Sequence, residues 1–232
     1  VGANFQYLRE TAYSGGVDFK HNWQDRKYYI TGNFVASNVR GSKEAISATQ
    51  SDITHLFDRS DASHVALDTS RTMLTGTGGK LGIGKATGIW LYDGGFIWRS
   101  PELELNDIGF LRQADEIRQY LNLTGQFQTP TDWYRSTSIN LGQYTTYDFE
   151  GNFNRLQFNF KGDVNFKNNW EARVYMIHKP LININTYLRG GPRWRFSEEN
   201  GIFLSAGSDR RKKYNVNVRI GKSQAEENNF SF

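Results

Sequence analysis

The sequence contains no cysteine, which removes disulfide frameworks and thiolate metal sites together. It also lacks any apolar run of about 18 residues, the length at which a membrane-spanning helix is expected, so a helical span is excluded. Charge of one sign is missing as well: 28 basic residues stand against 24 acidic ones, for a formal charge of +4. The two signs are interleaved, whereas a nucleic-acid interface needs a concentrated basic patch or a recognisable module, so no nucleic-acid partner is expected. The mean hydropathy of −0.65 speaks only against apolar helices. Strands that alternate apolar and polar residues average to the same low value whatever surrounds them.

What is present is alternation. From Leu156 the even positions carry Leu156, Phe158, Phe160, Gly162, Val164 and Phe166, and the odd ones carry Gln157, Asn159, Lys161, Asp163 and Asn165. A period of two marks a strand with one apolar and one polar face. The same parity runs on through Trp170, Ala172, Val174, Met176, Ile182, Ile184, Leu188, Trp194 and Phe196, then Ile202, Leu204 and Ala206, and last Tyr214, Val216, Val218 and Ile220. Asn183, Asn185, Arg189, Arg193, Arg195, Asn215, Asn217 and Arg219 fall on the other face. Strands in a soluble sandwich average about five or six residues. These runs extend over about nine to twelve, and a tilted strand crosses a bilayer in about nine to eleven. The expected fold is all-β, an antiparallel transmembrane β-barrel wall of about 12 strands within a larger barrel.

Earlier in the chain the pattern reads Ala3, Phe5 and Tyr7, then Tyr13, Val17, Phe19 and Trp23, a turn at Gln24-Asp25-Arg26, and Tyr28, Ile30, Gly32, Phe34 and Ala36 returning. It then breaks from Val39 to Thr69, where Ser42 is placed to cap a short amphipathic helix containing Ala45, Ile46 and Ala48. The segment 39–69 is expected to fold into the lumen as a plug. A second irregular stretch covers Arg99 to Glu116, and short turns are expected near residues 25, 86, 131, 168 and 199. The glycines at 76, 78, 79, 82 and 84 contain a G-x-G-x-x-G spacing, but with no βαβ context they predict bending or the close approach of another segment. Residues 1–232 are expected to be one barrel region, and a portion of something longer.

Several motifs occur together: Gly16-Val17-Asp18-Phe19; His64, Asp68 and Arg71 after Phe57-Asp58-Arg59-Ser60-Asp61; Ser100-Pro101-Glu102-Leu103-Glu104-Leu105-Asn106-Asp107-Ile108-Gly109-Phe110-Leu111; and Leu188-Arg189-Gly190-Gly191-Pro192 followed by Asp209-Arg210-Arg211-Lys212. In this combination the chain resembles the DUF5916-like outer-membrane β-barrel family of Bacteroidota, which commonly follows a domain similar to family 9 carbohydrate-binding modules. The resemblance implies a large barrel in the bacterial outer membrane, a sugar-binding-like neighbour and no settled activity.

For chemistry, Glu102, Glu104 and Asp107 form an acidic group with Asp115 and Glu116 nearby, and residues two apart on an extended segment share a side. Glycoside hydrolysis needs two carboxyl groups about 5 to 9 Å apart around a sugar. His55, Asp61, His64 and Asp68 offer ligands of the types that hold zinc or a harder ion, yet their spacing matches no helical metal motif. No nucleophile elbow or Ser-His-Asp arrangement is present. No cofactor, metal or catalytic residue is therefore assigned. Arg59, Asp61, His64, Asp68, Glu102, Glu104, Asp107 and Arg189 are the candidate ligand or lumen residues, with Arg59, Asp61, Asp68, Asp107 and Arg189 expected to join the inserted loops to the lumen wall.

The expected function is a conduit or a membrane anchor in the outer membrane, with glycan handling, its partners being lipid, glycans and other envelope proteins. The alternatives are a membrane-embedded hydrolase using the 102–116 acids and a structural subunit of an envelope secretion or transport complex.

Overall fold

The computed structural model describes residues 10–106 and 109–225. Eleven strands lie in one sheet: β1 (Glu10–Trp23), β2 (Tyr28–Gly41), β3 (Met73–Lys85), β4 (Trp90–Arg99), β5 (Glu116–Phe127), β6 (Tyr134–Tyr147), β7 (Phe153–Phe166), β8 (Glu171–Ile184), β9 (Trp194–Phe196), β10 (Glu199–Gly207) and β11 (Asn217–Ala225). All pairings are antiparallel, and each strand from β1 to β8 pairs with the next in sequence. β10 then pairs with β8 and β11 with β10, while the short β9 flanks β8. The expected all-β, antiparallel architecture is present. The described sheet is not closed into a barrel: β1 and β11 are the two ends of the pairing order. The strand near Ala3 to Tyr7 lies outside the described residues.

The connections fall into two sets. At one end are the turns 24–27, 86–89, 128–133 and 167–170, together with the 208–216 loop. At the other are 42–72, 100–115, the 148–152 turn and the 185–193 loop that leads into β9. The turn expected near 199 is instead the start of β10, and the strand expected from Tyr214 begins at Asn217. β2 also extends to Gly41 and β3 starts at Met73, which moves the insert from 39–69 to 42–72.

Alternation assigns the faces. Val17, Phe34, Leu81, Phe96, Leu121, Leu141, Phe158, Met176, Leu204 and Ile220 all remain exposed, Val17 and Ile220 at 69% each. No second layer of protein covers this outer face among the described residues. Pro180 interrupts the parity. Leu156 pairs with Leu181 and Phe158 with His178, so β8 carries one extra residue here. Proline has no N–H to give the ladder, and a bulge flips the residues beyond it to the other face. Ile182 therefore stands opposite Arg155 and is buried, contrary to the continuous run read from Trp170 to Phe196.

The buried apolar residues lie at the long-loop end, on the inner face. The helix α1 (Lys43–Ser51) begins where expected, the Ser42 hydroxyl accepting from the Ala45 N–H at 3.1 Å. Its Ile46 packs with Phe57 against Val39 of β2 and Leu74 of β3. Leu103, Leu111 and Ala114 of the 100–115 loop form a neighbouring cluster on Val35. Gly76 and Gly78 of β3 make room for this loop: a Cβ on Gly76 would stand 2.1 Å from the Leu103 nitrogen, and one on Gly78 2.7 Å from Leu103 Cδ2. Gly76→Ala is expected to push the loop off the sheet and cost about 1–3 kcal/mol by overpacking. Gly15→Ala, where nothing lies within 4 Å, should change stability by less than about 0.5 kcal/mol. Denaturant unfolding of the two variants in detergent checks the pair.

Candidate functional site

The four loops at the long-loop end converge on the inner face, and charged side chains join them. Asp115, the residue before β5, is the hub. One carboxylate oxygen accepts from Arg59 Nη2 at 3.0 Å, and the other accepts from the Phe149 N–H at 3.0 Å and faces His64 Nε2 at 2.8 Å. The hub has a left-handed backbone, φ 53°, a region in which aspartate is several-fold enriched among non-glycine residues. Arg59 and Asp115 are almost fully withdrawn from water, with side chains 2% and 4% exposed. Arg59 belongs to the insert and Phe149 to the 148–152 turn, so one carboxylate fixes two loops to the head of β5.

Two further links run alongside. Asp61 accepts from both the Arg193 N–H and its Nε, each at 2.9 Å, tying the insert to the segment before β9. Burial pushes the Asp61 carboxyl up, but these bonds and the Arg59 and Arg193 charges outweigh it and hold it below the ordinary aspartate value. His55 is held through both ring nitrogens, Nδ1 2.7 Å from the Pro101 carbonyl and Nε2 2.8 Å from Glu104 Oε2. A carbonyl only accepts, so Nδ1 carries a proton. Burial likewise raises Glu104, while His55 and the Asn106 N–H lower it further, leaving it below the ordinary value. The Glu104 N–H donates to Ser37 of β2 at 3.0 Å, which places this loop on the wall.

Of the residues singled out from sequence, Arg59, Asp61, His64, Glu102 and Glu104 all take part in inter-loop contacts. Glu102 accepts from Arg71 Nη2 at 2.8 Å and from the Thr75 N–H at 3.1 Å. Glu102 and Glu104 thus serve separate partners and form no carboxylate pair around an open site. Asp68 is exposed and caps its own turn through Ser70, but its backbone N–H and carbonyl are bound by the buried Gln50 side chain, each at 3.0 Å. Arg189 is exposed, and its side chain has no partner among the described residues. Arg193, four residues on, holds the position expected for it. Asp107 lies outside the described residues. The two imidazoles go to different carboxylates, and among the described residues no group of three ligating side chains could hold a metal.

Sequence reasoning assigned no role to Asp148, Glu150 or Arg193. Glu150 accepts from Ser63 and lies 3.5 Å from His64 Nδ1, and Asp148 accepts from the Asn152 N–H at 2.7 Å and lies 3.7 Å from Arg193 Nη1. The only local sign is the Asp-Phe-Glu-Gly-Asn turn composition at 148–152, which predicts a turn and says nothing of its partners.

Below this network, toward the sheet, lies a cavity of about 730 Å³ lined by Ile53, Leu111, Arg99, Arg112, Glu116, Arg118, Asn154 and Arg155 among others. The strand-borne members come from β4 to β8, the rest from the insert and the 100–115 and 185–193 loops.

A long-stranded antiparallel sheet with an exposed apolar face and a polar face capped by charged loops defines an all-β sheet protein, and among the described residues no catalytic constellation is recognisable. The chain matches the family described as Domain of unknown function (DUF5916) over residues 11–231 and belongs to it. No curated protein and no solved structure matches the chain.

Asp115→Ala is expected to cost about 3–5 kcal/mol, because it leaves the Arg59 guanidinium buried without its counter-charge. Limited proteolysis should show cleavage within 58–70 before global unfolding. Acid should weaken the same end of the molecule. Asp61 and Glu104 have lowered values when folded, so their contribution is complete above the ordinary values of 3.8 and 4.5 and is lost as pH falls below them. Amide exchange in the 55–64 and 101–106 segments should accelerate in that window, while β6 and β7 stay protected.

Proposed function

We propose that this chain forms part of the wall of a β-barrel in the bacterial outer membrane, acting as a solute conduit or as a membrane anchor. One observation carries the reading. Eight successive strands of 10 to 14 residues present an apolar outer face that none of the described residues covers and a polar inner face that loops and their charges cap. Each Val, Leu, Ile or Phe left in water forgoes about 1.5–3 kcal/mol. A patch of this extent on one face calls for an apolar medium. Strand length supports lipid as that medium, since about 9–11 residues suffice to cross it at a tilt.

In this reading the inner face lines the lumen. The 42–72 insert, held by Asp115, narrows the lumen at the long-loop end, and further strands beside β1 and β11 complete the barrel. The open edges of β1 and β11 also favour a second reading, a structural subunit whose sheet is continued by another envelope protein. Unpaired edges are ready templates for another strand. Co-elution of a stoichiometric partner from detergent distinguishes this from a lone barrel, and planar-bilayer conductance distinguishes a conduit from an anchor.

Site-directed spin labelling in liposomes tests the wall itself. Labels at 141, 158 and 220 should collide with oxygen dissolved in lipid, and labels at 157, 159 and 219 with an aqueous nickel reagent. Outer positions shielded from both reagents would sink the proposal. Phe160→Arg, near the middle of β7, is expected to cost about 2–4 kcal/mol in the bilayer.

A further inference from the structure

The cavity beneath the loop network is out of charge balance. Among the described residues, four guanidiniums, Arg99, Arg112, Arg118 and Arg155, line it with one carboxylate, Glu116. Glu116 Oε1 lies 2.7 Å from Arg99 Nη1 and 3.2 Å from Arg118 Nη2, so a single negative charge is divided between two cations. Arg155 points Nη1 at the Tyr144 hydroxyl, 3.4 Å away, and meets no carboxylate among the described residues. Arg112 has no ion-pair partner among the described residues. The contrast with the network above is sharp, because there every arginine that bridges loops is matched to an acid.

Two buried polar atoms face the same problem. Arg118 Nε has no acceptor and Asn154 Oδ1 has no donor among the described residues. Such groups cost free energy unless something pairs with them. A guanidinium presents a planar fork of donors that matches phosphate, sulfate and carboxylate groups. The volume, about 730 Å³, is in the range of small-molecule sites, about 300–1,000 Å³.

We infer that this cavity is a binding site for an oxyanion-bearing small molecule. Arg118 and Arg155 grip the anionic group from the wall, Arg112 closes on it from the loop, and Asn154 accepts a hydroxyl or N–H of the ligand. Glu116 holds Arg99 and Arg118 in place and keeps the empty site from carrying four unopposed charges. The inference rests on the inner face alone and stands whatever covers the outer one.

Isothermal titration of the full chain in a neutral detergent, with inorganic pyrophosphate as probe at constant ionic strength, tests it. Saturable one-to-one binding is expected, weakened at least tenfold by Arg118→Gln and by Arg155→Gln. Arg112→Gln, at an exposed loop position, should weaken it at least threefold and guards against misfolding of the strand variants. Arg173→Gln, on the same wall but paired with Asp163 outside the cavity, should leave affinity unchanged. Dihexanoyl phosphatidate is the second probe. Competition with pyrophosphate supports the site with a lipid headgroup as its source, and pyrophosphate binding without competition supports it with a free solute. Absence of saturable binding, or equal loss in Arg173→Gln and the cavity variants, overturns the inference.

Discussion

The structure depends on a two-faced sheet that folds its own protein onto the polar side. In a soluble domain the apolar faces of sheets meet and exclude water. Here the apolar face carries no protein layer, and the interior is made from loops lying on the polar one. That arrangement explains why the buried apolar residues are few and sit at one end: Val39, Ile46, Phe57 and Leu74 in one cluster, Leu103, Leu111 and Ala114 in another. Further along the polar face side chains bond one another in chains. Tyr144 donates to Gln157 at 2.5 Å, Gln157 to Asn159 at 2.8 Å, and Tyr175 to Asn159 at 3.0 Å.

The loops need a strong fastening because the sheet offers them little apolar surface. Small residues make room: Gly76 and Gly78 let the 100–106 segment reach the backbone of β3. Charge then supplies the hold. Arg59 and Asp115 are buried far enough from water that their attraction is weakly screened, and the remaining Asp115 lone pairs are occupied by His64 and Phe149. A buried pair of this kind stabilises only when its other hydrogen bonds are made. Most of them are, and the exception is the Arg59 Nε, which has no acceptor.

What could be read in the sequence follows from what is local. Alternation set the strands and their faces, the Ser42 cap and the apolar spacing after it placed α1, and irregular composition marked both long loops. Parity failed at Pro180, where a bulge absorbs one residue and no periodic count can detect it. The site was only half legible for a similar reason. Arg59, Asp61 and His64 stood out because charge in a helical insert is conspicuous, but the insert's partners are 51 to 132 residues away in sequence. Arg193 rather than Arg189 meets Asp61, and choosing between two arginines in one glycine-rich loop requires the path of the backbone, including the left-handed turn at Arg189 and Gly190. Alternation determines the face of each residue and carries no information about which edges meet, so it could not locate the closure of a barrel.

The inner face therefore holds two electrostatic systems built to different ends. In the upper one each bridging arginine has its own acid, so the charges are spent on holding loops together and little field is left over. In the lower one Glu116 is divided between Arg99 and Arg118, Arg112 and Arg155 meet no carboxylate among the described residues, and the surplus positive potential points into a polar volume lined by β4 to β8 and the loops. A structural network gains nothing from such an excess, since like charges that close repel and each unpaired donor has a desolvation cost. The excess is tolerable only if water or a counter-ion relieves it, and a guanidinium fork relieved by an oxyanion recovers more than one relieved by water. The rigid latch above also keeps the cavity's roof in place, so the same Asp115 that anchors the insert fixes the positions from which Arg112 and Ile53 face the wall.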